Sequence, residues 1–208
     1  MTTFYCVRHG KTEFNQQHIF QGGLADSPLL PEGQKTAALA GEYLSDVTFD
    51  RAFVSPQKRA QDTAEILLAN HAGELTEFMT IENLREMEFG EWDGLPEANF
   101  EHLLEFQNLV HRPHLYNPTA FKGEDFETLI TRLKEVFTTL AKDYPNDTIL
   151  IVSHGLGLQA ILKHFDNIPL ADLRSGDFLG NTSISVVQVD PTTGEFDLTL
   201  WNDTTHTS

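Results

Sequence analysis

Three short runs along the chain are apolar almost without interruption. Thr3–Arg8 (TFYCVR), Ala52–Ser55 following Phe49, and Thr148–Ser153 (TILIVS) are rich in β-branched and aromatic residues, and read as strands buried on both faces. Between them, apolar positions recur at helical spacing. Ala37, Ala40, Leu44 and Val47 share one face, and Ala60, Ala64, Leu67 and Leu68 share another. Phe126, Leu129, Ile130, Leu133, Val136, Phe137 and Leu140 keep a stripe over about four turns. Strands alternating with helices predict an α/β fold with a mostly parallel central sheet, because parallel neighbours need a crossover connection.

Two regions depart from this alternation. Ser183–Val189 and Glu195–Trp201, split by the turn signal Asp190-Pro191-Thr192-Thr193-Gly194, predict a closing hairpin at one edge of the sheet. Glu91–Lys122 holds Pro96, Pro113 and Pro118, a short helical stretch around Phe100–Val110, and five aromatics including Trp92 and Tyr116. A loop of this length is usually functional or disordered, and its aromatic content predicts an ordered lid over the sheet. The polar end Asn202–Ser208 reads as a loose tail. The expected whole is one domain over residues 1–208, a three-layer α/β/α arrangement with a lid insertion at about 91–122.

Composition narrows the partners. The 208 residues carry a net charge of −17, which opposes nucleic acid and anionic membranes, since both demand a basic patch. No run is long and apolar enough to span a bilayer, and Met1–Arg8 lacks a basic-then-apolar leader. With Cys6 as the sole cysteine, no internal disulfide forms, which fits a reducing cytoplasm. The expected partner is a small anionic molecule held by a local positive pocket; oligomeric state is not legible.

That pocket has a signature. Two apolar strands end alike, in Val7-Arg8-His9-Gly10 and Val152-Ser153-His154-Gly155. Ligands of α/β sheets bind outside the carboxyl ends of strands, so both histidines are expected in one crevice, with glycines admitting close backbone approach. A third strand ends in Ser55-Pro56, from which Arg59 could reach the same rim. Two imidazoles and two guanidiniums are costly together unless an anion sits among them, and guanidinium forks match phosphate oxygens. Positive neighbours also hold His9 neutral, and a neutral imidazole is a nucleophile.

Arg8-His9-Gly10-Lys11-Thr12 with Asn15, Ser55-Pro56 with Arg59, Leu84-Arg85-Glu86, and Ser153-His154-Gly155 together resemble the histidine phosphatase superfamily, in its phosphoglycerate-mutase-like phosphatase branch. Gln21-Gly22, Phe89-Gly90-Glu91-Trp92-Asp93-Gly94 and Asn181-Thr182-Ser183 resemble further landmarks in the same order. The resemblance implies hydrolysis of small phosphomonoesters through a phosphohistidine, without metal or cofactor. His9 would attack phosphorus, and Glu86 would protonate the leaving oxygen and then deprotonate water. Arg8, Arg59 and His154 would stabilise phosphoryl charge, with Asn15, Gln21, Gly22, Gly155 and Lys11 as substrate contacts. Lys11 stands where glutamate is commoner, and Gly123-Glu124-Asp125 replaces a more usual Gly-Glu-Ser.

Two other readings share this pocket: a phosphoglycerate mutase-type phosphotransferase that returns the phosphoryl group to a sugar acid, and a catalytically silent phospholigand-binding module. His111 and His114 invite a zinc reading, but Pro113 breaks the helix that would align them and no third ligand has suitable spacing. Cys6, inside an apolar strand, reads as an inert buried thiol.

Overall fold

Parallel register in the middle of the sheet decides where the chemistry ends up. The computed structural model describes residues 1–207. Six strands, β1 (Thr2–Arg8), β2 (Arg51–Val54), β3 (Met79–Thr80), β4 (Thr148–Ser153), β5 (Ile184–Val189) and β6 (Phe196–Asp203), lie in the spatial order β3-β2-β4-β1-β5-β6. The first four are mutually parallel, while β5 and β6 run antiparallel as the expected edge hairpin. The two-residue β3 had no apolar run to announce it, and both its residues are exposed.

The period-two alternation within strands separates two cores, one on each face. Phe4 and Cys6 of β1 and Ile149 and Ile151 of β4 enter the larger core, and Val7, Leu150 and Val152 enter the smaller one. Helices α5 (Phe126–Asp143) and α6 (Gly155–Phe165) cover the first face, with Leu129, Leu133, Phe137 and Ile161 fully buried. Each such side chain contributes about 1.5–3 kcal/mol of burial. Helices α2 (Pro31–Tyr43) and α3 (Lys58–Asn70) cover the other, through Ala40, Ala60, Ala64 and Leu67. The α/β expectation therefore stands. Val47 is a correction: α2 stops at Tyr43, and Val47 lies in the following turn, its N–H donating to Leu44 O.

Glu91–Lys122 is an ordered excursion of 3-10 turns and one helix, α4 (Leu104–His111). Its aromatics are structural: Trp92 stacks on Phe121 at 4.0 Å and on Phe100 at 4.6 Å, and Phe20 closes the cluster. Backbone bonds tie it to the loop after α1 (Glu13–Gln17), Glu97 N to His18 O at 2.8 Å and Phe20 N to Leu95 O at 3.0 Å. The tail is firmer than expected, since Asn202 and Asp203 complete β6 and Asp203 accepts from Tyr43 Oη at 2.9 Å. Ser208 lies outside the described residues. Among those described, no helix is long and apolar enough to cross a membrane.

Candidate active site

Arg8 pairs in register with Ser153, and Val152 with both Val7 and Val54. The next residues of three parallel strands are therefore neighbours, and they are His9, His154 and Ser55. His9 N donates to Ser153 O at 2.9 Å, and the two imidazole centroids lie 5.2 Å apart. The sheet has placed side by side two residues separated by most of the chain.

Their hydrogen bonds differ. His9 Nδ1 is 2.8 Å from Gly10 O, and a carbonyl only accepts, so Nδ1 carries the proton and Nε2 keeps a free lone pair. His154 Nδ1 accepts from Arg59 Nε at 3.2 Å, so its proton is on Nε2, donated to Ser55 Oγ at 2.7 Å. Burial pushes both imidazoles well below their ordinary pKa. Arg59 and Arg8 push His9 further down, and the Gly10 carbonyl opposes them; on His154, Arg59 and then His9 add to burial. Both rings are neutral at physiological pH.

Arg59 is fully buried. Its guanidinium serves the loop before α2, with Nη1 on Ala25 O and Asp26 Oδ1 (2.9 and 3.0 Å) and Nη2 on Gln21 O and Gly22 O (3.1 and 3.3 Å). Asp26 keeps this buried charge paired. Arg8 is less engaged: one Nη1 donates to Leu179 O, and its buried Nε has no partner. Burial pushes Arg8 down to about 10, against the carboxylate of Glu86, so it stays charged at neutral pH. Gly155 makes room for it, because a Cβ there would sit 2.8 Å from Arg8 Nε and from the Phe178 ring.

Glu86 is buried against the first turn of α6, whose N-cap His154 offers no side-chain acceptor. The carboxylate takes that place: Oε1 accepts from Gly157 N and Met87 N (both 2.8 Å), and Oε2 from Leu156 N (3.0 Å). Oε2, with one donor, is the oxygen better able to take a proton. Sequence reasoning missed the residues that hold it. Gln57 accepts from Glu86 N at 2.9 Å and donates to Gly22 O at 2.7 Å, while Arg132 donates to Glu86 O at 3.1 Å and clamps Glu124 through two nitrogens. A glutamine at a helix N-cap and an arginine mid-helix carry no local signal of such reach.

The expected contact residues divide. Gly155 borders the Arg8 guanidinium. Asn15 shares a capping box with Thr12 and accepts from Asn181, whose Nδ2 also donates to His9 O at 3.1 Å. Beside it, Thr182 N donates to Arg8 O, from a left-handed backbone (φ 57°) that strains a β-branched residue. The buried amide of Gln21 lies inside the protein, its oxygen 3.1 Å from Arg59 Nε and its nitrogen 2.7 Å from Thr12 Oγ1. Gly22 is held by Asp93, whose Oδ1 accepts from its N–H at 2.6 Å. Lys11 pairs with Glu32 at the surface, 3.2 Å away. His111 and His114 are both exposed, and among the described residues no three His, Cys, Asp or Glu gather as metal ligands. One further cation lies near the cup: Arg174, against the Phe178 face.

Neutral imidazoles flanked by guanidiniums at the carboxyl ends of parallel strands are chemically suited to bind an anion and to attack it through a free ring nitrogen. A family profile described as the histidine phosphatase superfamily (branch 1) matches residues 4–204. The chain is 35% identical over 169 residues to the fructose-2,6-bisphosphatase TIGAR B of Danio rerio, covering 80% of this chain and 62% of that protein's length. Its fold superimposes on Bacillus stearothermophilus YhfR with a TM-score of 0.92 at 31% identity, all of both chains being covered. The phosphoserine phosphatase of Entamoeba histolytica, solved with 3-phosphoglyceric acid, gives a TM-score of 0.84 at 25% identity, again over all of both chains. The chain belongs to the histidine phosphatase superfamily.

Proposed function

We propose that this protein hydrolyses small phosphomonoesters through a phosphohistidine on His9. One observation carries the reading: the His9 ring is neutral, its Nδ1 proton committed to Gly10 O, and its Nε2 lone pair left free beside two guanidiniums. Nε2 attacks phosphorus in line, and the bond to the leaving oxygen breaks as a proton on Glu86 moves to that oxygen. Water then attacks phosphorus, its proton goes to the Glu86 carboxylate, and the P–N bond breaks to restore the His9 lone pair. Arg8 holds the phosphoryl oxygens, His154 joins it by turning its one N–H from Ser55 Oγ toward them, and Arg59 adds its charge by shifting an N–H from Ala25 O the same way. The reading is supported by the family and by phosphatase relatives. Glu91–Lys122 would act as the lid, an ordered segment pinned by its aromatic stack and tied through Asp93 to the Gly22 N–H. A single cysteine, Cys6, supports a reducing cytoplasmic setting for this chemistry.

The test uses two leaving groups. Wild type should release free phosphate from p-nitrophenyl phosphate and from an alkyl phosphate, and rapid quenching should trap an acid-labile phosphoryl group on His9. Glu86→Gln should cost about 10²–10⁴-fold on the alkyl ester, whose alkoxide needs the proton, and far less on the nitrophenyl ester. Equal losses would remove Glu86 from the acid role. Phosphoryl transfer to a sugar acid with little free phosphate would replace the phosphatase by a mutase, and a wild type that releases nothing would be a binding module.

A further inference from the structure

We infer that Arg174 selects substrates carrying a second anionic group, a carboxylate or a second phosphate, bound beside the Phe178 ring that Arg8, at the phosphoryl site, also borders. The inference rests on the phosphoryl site proposed above and assigns it a substrate class.

Phe178 is the shared wall. The Arg8 guanidinium lies 5.0 Å from its ring centroid and the Arg174 guanidinium 4.8 Å, so the two charges are within about 10 Å of each other. One small metabolite with acidic groups at either end can bridge a gap of that size or less. Phe178 itself is 42% exposed, so the ring stands at the mouth rather than in the core.

Among the described residues, Arg174 also has no carboxylate within salt-bridge distance. The chain carries 31 carboxylate residues against 14 basic ones, yet among the described residues no salt bridge reaches Arg174. Its one side-chain hydrogen bond runs from Nη1 to Gln159 Oε1 at 3.4 Å, and its buried Nε has no acceptor. By contrast Arg59, fully buried, and Arg132, half-buried like Arg174, are each paired with a carboxylate. A half-buried guanidinium whose Nε has no acceptor is costly, and an incoming anion removes that cost. Burial lowers its pKa against Glu86 and Glu97, which act from beyond salt-bridge distance. A planar fork beside a phosphoryl site suits a carboxylate or phosphate equally.

The experiment compares Arg174→Gln and Arg174→Lys with wild type on substrates matched in size. Glycerol 3-phosphate carries one anionic group, phosphoserine and 3-phosphoglycerate add a carboxylate, and a hexose bisphosphate adds a phosphate. Arg174→Gln should lower kcat/KM for a two-anion substrate about tenfold to a hundredfold more than for glycerol 3-phosphate, chiefly through KM, with Arg174→Lys between. A loss concentrated on the carboxylates or on the bisphosphate identifies which anion is read. Parallel losses on all substrates, or none on any, would overturn the inference. Calorimetric binding of 3-phosphoglycerate against glycerol 3-phosphate, wild type against Arg174→Gln, reads the same difference without turnover. A protein that hydrolyses nothing but keeps that binding difference would lose the phosphatase reading and keep this one.

Discussion

His9 and His154 sit at equivalent ends of neighbouring parallel strands, each followed by glycine, and do opposite things with their nitrogens. His9 commits one nitrogen to a carbonyl and keeps the other free; His154 commits both, accepting from Arg59 and donating to Ser55. Strand register gives position, and the hydrogen-bond partner gives role. The largest effect should therefore break the symmetry. His9→Ala should reduce turnover by roughly 10⁴-fold or more, as removal of a nucleophile does, and abolish the trapped adduct. His154→Ala should cost roughly 10²–10³, the scale of one charge-stabilising donor, and still give an adduct on His9. An adduct on His154 in the His9→Ala protein would show that the two rings are interchangeable.

The partner of each ring offers a finer test. Ser55→Ala leaves the buried His154 Nε2–H without an acceptor, which should cost about 1–3 kcal/mol of stability in chemical denaturation. Activity should fall about tenfold as the ring loses its orientation, while the Gly10 carbonyl still fixes His9. Ser55→Thr, which keeps a hydroxyl, should restore most of the loss. An alanine variant with unchanged stability and turnover would mean that Ser55 does not hold His154.

The contrast also shows what a sequence can carry. Apolar runs and paired His-Gly ends sufficed to place His9 and His154 together, because parallel register converts strand ends into neighbours. Neither ring's tautomer was legible, since Gly10 O and Ser55 Oγ act through angles that only the fold defines. Gln57 and Arg132 were invisible for a related reason: they reach loops far along the chain, and nothing local distinguishes them from surface polar residues. The aromatics of 91–122 were legible as packing, whereas β3, two exposed residues at an edge, had no period to detect.

The smallest predicted effect sets the histidine pair against Asp93, whose displacement has the opposite sign. Burial lowers the folded pKa of both imidazoles below the ordinary 6.5, so between that value and the folded one the unfolded chain binds more protons. Stability from these rings is present above pH 6.5 and is lost as pH falls below it. Burial of Asp93 instead raises its carboxyl to about 6 from 3.8, against the opposing N–H bonds of Gly22 and Leu24. The folded chain then binds more protons between those values, and stability from Asp93 is lost as pH rises through about 6. Asp93→Asn keeps an oxygen for the Gly22 N–H and removes the ionisation. Its Tm relative to wild type should therefore rise between pH 4 and pH 8, while the same difference for a His154→Asn protein should fall. Parallel pH profiles for the two variants would contradict the assigned causes, because only groups displaced in opposite directions tilt the stability curve opposite ways.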